Sequence, residues 1–133
     1  MKKLYLFTMG FIISASVLIS CKKDKETTAQ KVQHNWTIVS QIDNSHDDSG
    51  DYRDTTLSVN GSGDFIKFNS DGTFNIQFEG TTDTGNYSII SDTQMSINGQ
   101  TATILTLTSS QFVIYSKEGS ATEYDESTFN LQR

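Results

Sequence analysis

The chain has 133 residues, a formal net charge of −6 at pH 7, no Pro and a single Cys. That length supports one domain around one core. The acidic balance disfavours nucleic acid, whose phosphates need a basic face, and electrostatic adhesion to anionic lipid, while a lone Cys excludes an internal disulfide.

Met1-Lys2-Lys3 is a positive leader, and residues 4–19 are mostly apolar. This run is too short and too often interrupted by Ser to read as a membrane span, and it fits the apolar region of a secretory signal. It ends in Leu18-Ile19-Ser20-Cys21. A branched apolar residue three before Cys and a small one directly before it resemble the bacterial lipobox. The resemblance implies that residues 1–20 are a cleaved signal peptide and that Cys21 is the mature N-terminus. Its thioether and amine would carry acyl chains such as palmitate. It also implies a lipid-anchored protein of the Gram-negative cell envelope, on the outer membrane, with the periplasmic or surface face left open. The alternatives are an ordinary signal peptide with an incidental Cys, or an uncleaved anchor. Each buried CH₂ contributes about 0.8 kcal/mol, and two or more chains anchor stably where one is marginal. Such a protein therefore needs no membrane-binding face of its own.

Residues 21–34 read as the lipidated Cys and a tether. Lys22-Lys23-Asp24-Lys25-Glu26 is a solvated charged stretch with a partial resemblance to surface-export signals of some Gram-negative lipoproteins. Thr27 with Gln30 three residues on has the form of a capping box for a short helix through Val32. Ala29, Val32 and Trp36 have helical spacing.

From residue 35 the chain repeats one pattern, a short apolar-alternating run followed by a polar turn. The first run, 36–42, places Trp36, Ile38, Ser40 and Ile42 on one face. A polar loop is expected at 43–54, then a ragged strand at 55–59 and a break at Asn60-Gly61-Ser62-Gly63. The clearest hairpin follows. Ile66 and Phe68 face inward on one arm, Phe74, Ile76 and Phe78 on the other, and Asn69-Ser70-Asp71-Gly72 is turn chemistry ending in a Gly suited to positive φ. A turn is expected at 79–83. Tyr87 and Ile89, then Met95 and Ile97, continue the inward face, and Asn98-Gly99 is the strongest hairpin dipeptide of the chain. Leu105 with Leu107, Phe112 with Ile114, and Phe129 with Leu131 complete the series. Tight turns make sequential neighbours antiparallel, so residues 35–133 predict an all-β up-and-down meander of about eight strands. Closing it into a barrel removes both edges, and a two-sheet sandwich is the second solution.

Trp36-Thr37-Ile38-Val39-Ser40, Phe68-Asn69-Ser70-Asp71-Gly72-Thr73-Phe74, Gly85-Asn86-Tyr87-Ser88-Ile89 and Ile104-Leu105-Thr106-Leu107-Thr108 occur in an order and spacing that resemble the bacterial lipocalin-like domain family. The resemblance covers nearly all of the chain after the tether. One departure is His34, where that family usually has Gly two residues before the first-strand Trp. The resemblance implies a lipocalin-like barrel and a small apolar ligand.

The residues themselves offer little chemistry. Nucleophilic catalysis needs a base beside a Ser or Cys, and the only histidines are His34, near the tether, and His46, in a polar stretch. No nucleophile elbow, phosphate loop or zinc-ligand spacing is present, so an enzyme is not expected, nor any metal or cofactor. Residues 43–51 are the densest acid cluster, but with Gly50 in sixth place the twelfth position of a calcium loop would be Thr56 rather than Glu. A solvated loop is the better reading. What remains is the aromatic set Trp36, Phe68, Phe74, Phe78, Tyr87, Phe112 and Phe129. It lines an apolar cavity or fills the barrel, since eight strands leave an interior just wide enough to pack solid. The expected partners are the membrane, through the lipid on Cys21, and a small apolar ligand. A filled barrel would instead make an interaction module that binds an envelope protein or glycan through the 43–54 loop. The protein is expected to be a monomer.

Overall fold

The computed structural model describes residues 25–57 and 63–133. The expected signal peptide, Cys21 and the break at 60–62 lie outside the described residues. Helix α1 (Thr28–Val32) opens the fold. The Thr27 hydroxyl accepts from the Gln30 N–H at 3.2 Å and the Gln30 side chain accepts from the Thr27 N–H at 2.8 Å, so the capping box read from sequence is formed.

Among the described residues nine strands follow: β1 (Asn35–Asp47), β2 (Gly50–Leu57), β3 (Phe65–Phe68), β4 (Thr73–Phe78), β5 (Thr81–Ser91), β6 (Gln94–Ile97), β7 (Gln100–Leu107), β8 (Gln111–Gly119) and β9 (Tyr124–Gln132). They form one antiparallel sheet in the order β2-β1-β3-β4-β5-β6-β7-β8-β9, and β9 returns to pair with β1. The ring is therefore an eight-stranded barrel, with β2 outside it. A barrel, not a sandwich, solves the edge problem.

Strand β1 explains the extra strand. Its first residues, Asn35 to Thr37, pair with β3, while Ser40 to Asp47 pair on the same edge with β2. Its other edge pairs with β9 from Thr37 to His46. Below this split the ring closes, and above it β2, β1, β9 and β8 continue as a tall wall on one side. This corrects the loop expected at 43–54. Asp, Asn and Ser are poor strand formers, yet residues 43–46 are held between two backbone ladders, and only Asp48-Ser49 turn the chain. The expected turn at 79–83 shortens likewise. Glu79 and Gly80, with φ of 50° and 77°, make a two-residue hairpin, and β5 starts at Thr81.

Three register irregularities fall at Val39, Ile90 and Leu105. Each bulged residue is an exposed aliphatic. The bulge at Leu105 corrects the face assigned to it. Ile104 points inward, Leu105 is 57% exposed, and Leu107 packs on the core. Bulges supply the bend that closes so small a barrel.

The core lies inside the ring: Trp36 and Ile38 on β1, Phe68 on β3, Phe74 on β4, Met95 on β6, Phe112 and Ile114 on β8 and Leu131 on β9, with Val32 from α1 plugging one end. Burying each large side chain contributes on the order of 1.5–3 kcal/mol. Following the chain through the registers places α1, the turns 69–72, 92–93 and 108–110 and the C-terminus at this floor end. The turns 48–49, 79–80, 98–99 and 120–123 lie at the other.

Candidate functional site

The seven aromatic residues separate into two groups. Trp36, Phe68, Phe74, Tyr87 and Phe112 form a connected cluster over the floor. Ring centroids are 5.4 Å apart for Trp36–Phe112, 5.9 Å for Phe68–Phe112, 5.0 Å for Phe68–Tyr87 and 6.0 Å for Phe68–Phe74. All are tilted or edge-on, the arrangements the ring quadrupoles favour. Phe129, on β9, and Phe78, at the far end of β4, meet edge-on at 6.1 Å, half-buried.

The floor is tied down by polar contacts. The Trp36 indole N–H donates to the Val32 carbonyl at 3.0 Å. The Tyr87 hydroxyl donates to the Asn69 carbonyl at 2.7 Å, and the Tyr87 N–H donates to the Gly72 carbonyl at 2.7 Å. Burial is the main cause that pushes the Tyr87 phenol up from its ordinary pKa. His34 takes the place of the expected Gly with the backbone at negative φ. Its carbonyl accepts from the Phe68 N–H at 3.2 Å and its ring stands edge-on to Trp36 at 6.2 Å.

The interior is not filled beyond this cluster. A cavity of about 420 Å³ lies above it, lined deep inside by Ile66, Phe74, Ile76, Ala102, Ile114 and Leu131. Phe129 and Ile97 also line it, while Asn98, Gln100, Thr101, Ser116 and Glu118 form its mouth. The structure thus divides the two readings of the aromatics between two ends of one barrel. Of the seven, Phe74 and Phe129 line the cavity. Trp36, Phe68, Tyr87 and Phe112 belong to the floor, and Phe78 supports Phe129.

The opening has a backbone cause. Strands β7 and β8 pair only as far as Ala102 opposite Ser116, so Gln100 and Thr101 part from Lys117 and Glu118. On the other side, β5 pairs with β6 from Tyr87 onward, which leaves Thr81 to Asn86 paired with β4 alone. The short β6–β7 hairpin sits at the foot of this notch. Asn98 fixes it there, its N–H donating to the Asn86 carbonyl at 2.8 Å and its side-chain oxygen accepting from the Asn86 N–H at 2.9 Å.

Sequence reasoning missed the aliphatic lining because it followed the large rings. The available signal was Ala102, a small residue in an inward slot beside Ile104, which leaves space where a large side chain would fill it. The acidic stretch 43–51 is spread along the β1–β2 hairpin. There the His46 imidazole pairs with the Asp51 carboxylate and stacks on Tyr124 at 5.0 Å. No group of three or more metal-ligating side chains occurs among the described residues. Among them, too, no helix is long and apolar enough to cross a membrane.

No protein-family model matches the chain, and no curated protein matches it at a significant level.

Proposed function

We propose that this protein is a lipid-anchored, lipocalin-like carrier that holds a small apolar ligand in the cavity above its aromatic floor. The observation that carries the reading is that cavity. At about 420 Å³ with a largely aliphatic lining, it falls within the size and chemistry of small-molecule sites. The closed barrel supports it, because a ring of eight strands holds a rigid pocket without help from loops.

The anchor fits the same picture. The described chain begins at Lys25, beside α1 on the floor. Acyl chains on Cys21 would turn that floor toward an outer membrane and the mouth away from it. The deep lining presents apolar carbon and the polar residues gather at the mouth, which suits a carrier of a small apolar molecule.

Native mass spectrometry of the full chain purified from its own host tests the proposal, because a carrier often retains cargo. Titration with Nile red, an uncharged apolar probe, tests it independently. Saturable binding that is lost in Ser116→Trp, which plugs the mouth, is the expected result. Neither retained mass nor saturable binding in a folded sample would remove the carrier reading. The second reading, an interaction module for an envelope protein or glycan, rests on β2, which lies outside the ring with one edge unpaired among the described residues.

A further inference from the structure

We infer that the cavity selects an amphiphile with an apolar chain and a cationic, amine-type head, and discriminates against the matching carboxylate; this rests on the carrier reading above. The lining is apolar at depth and polar only at the mouth, so a bound amphiphile would enter chain first and leave its head at the notch. The charge found there is negative. Among the described residues Glu118 is the one charged residue that lines the cavity, and it is exposed at the rim.

The wider end is acidic as well. Asp47, Asp51, Glu79, Asp83, Glu123 and Asp125 sit on strands and turns at the same end of the barrel as the mouth. The cations at this end among the described residues are Arg53 and Lys117. Lys117 is turned away and occupied. Period-two alternation places it on the face opposite Ser116 and Glu118, where its ammonium lies 3.2 Å from the Tyr124 ring centroid and 3.6 Å from the Glu126 carboxylate. Lys31, Lys67 and Arg133 lie at the floor end. A carboxylate head at the notch would thus meet the like charge of Glu118 with no counter-ion among the described lining residues, whereas an ammonium would meet Glu118 and the field of the rim. Asn98, Gln100 and Thr101 supply further oxygen acceptors for its N–H groups.

The test compares dodecylamine, dodecanol and dodecanoate, three probes with one chain and three heads, for displacement of Nile red from the full chain. The expected order is amine, alcohol, carboxylate, with about fivefold to tenfold between first and last at low salt, the scale of exposed ion pairs and repulsions. The spread should collapse in 1 M salt, where the screening length is about 3 Å. Glu118→Lys should invert the preference between amine and carboxylate, with dodecanol still between them. Calorimetry should show that Ser116→Trp no longer binds any of the three, which separates cavity binding from adsorption on the acidic surface. Carboxylate binding equal to amine binding would overturn the head-group inference and leave the carrier standing. Absence of binding by all three would overturn both.

Discussion

Trp36 donates its indole N–H to the carbonyl of Val32, the last residue of α1, at 3.0 Å, and both side chains are fully buried. One contact therefore fastens the helix to the first strand and seals the floor of the barrel. Trp36→Phe keeps the ring but removes the donor, and should cost about 1–3 kcal/mol, the bond plus a small void. Trp36→Ala should cost about 3–5 kcal/mol. Urea denaturation measures both. An unchanged midpoint for Trp36→Phe would mean that the helix is not fastened by this bond.

Gly85 stands opposite Phe74 in the β4–β5 ladder. A Cβ there would meet the Phe74 ring at 2.6 Å and collide with the Asn98 side chain. The first is a core ring that also lines the cavity, and the second holds the β6–β7 hairpin at the mouth. Gly85→Ala should cost about 1–3 kcal/mol by overpacking. It should also weaken Nile red binding, because Asn98 must move. Unaltered stability together with unaltered probe affinity would show that the notch is looser than this geometry requires.

The β3–β4 turn sets register for the floor. Gly72 has φ of 84°, and a Cβ would lie 3.3 Å from the Tyr87 carbonyl. Gly72→Val combines a disfavoured backbone with that crowding, and should cost more than about 1–2 kcal/mol. Asp71 accepts from the Thr73 hydroxyl at 2.6 Å and the Thr73 N–H at 3.0 Å, and these bonds, the hydroxyl first, hold its carboxyl below the ordinary value of 3.8. A lowered folded pKa gives stability that is present above that ordinary value and lost as pH falls through the lowered one. The stability gap between the wild type and Asp71→Ala should therefore narrow only under strongly acid conditions. A gap that is flat down to acid unfolding would remove the charge from the explanation.

Acylation at Cys21 is a separate prediction. Mass spectrometry of the mature protein should find the chain starting at Cys21 with added acyl mass, and Cys21→Ala should leave the membrane fraction or accumulate uncut. An unmodified N-terminus at any other residue would refute it.

Inward faces were legible where one strand determines them. Trp36 and Ile38, Phe68, Phe74, Tyr87, and Phe112 with Ile114 follow period two and are buried. So were the turns Asn69 to Gly72 and Asn98-Gly99, because positive φ leaves a chemical mark in Gly and Asn. The hairpin at 43–54 was not legible. Its strands arise from pairs such as His46 opposite Tyr124, which no local pattern announces. The outward turn of Leu105 was hidden too, since a bulge depends on the partner strand. The cavity was least legible of all. Its volume depends on Ala102, Ile66, Ile114 and Leu131 from four strands together, and no single strand records that their sum falls short of filling the ring.

Tyr115 and Glu126 make the chain's clearest pH-dependent pair. The Tyr115 hydroxyl donates to the Glu126 carboxylate at 2.7 Å across the β8–β9 ladder. That hydrogen bond, then burial and the carboxylate's charge, push the phenol up to about 12. The same hydroxyl, before the nearby Lys117, holds Glu126 below its ordinary value. The raised phenol contributes stability that is complete below its unfolded value of 10.0 and is lost as pH rises through about 12. The lowered carboxylate contributes above its unfolded value of 4.5 and is lost as pH falls through the depressed one. The pair therefore acts in full between about pH 5 and pH 10. Near-ultraviolet titration should show one phenol ionising near 12, and Tyr115→Phe should remove that late step. The difference in urea midpoint between the wild type and Tyr115→Phe should hold constant across the plateau and shrink above it. If the late step survives in Tyr115→Phe, another tyrosine carries it, and the Tyr115–Glu126 bond does not persist in solution.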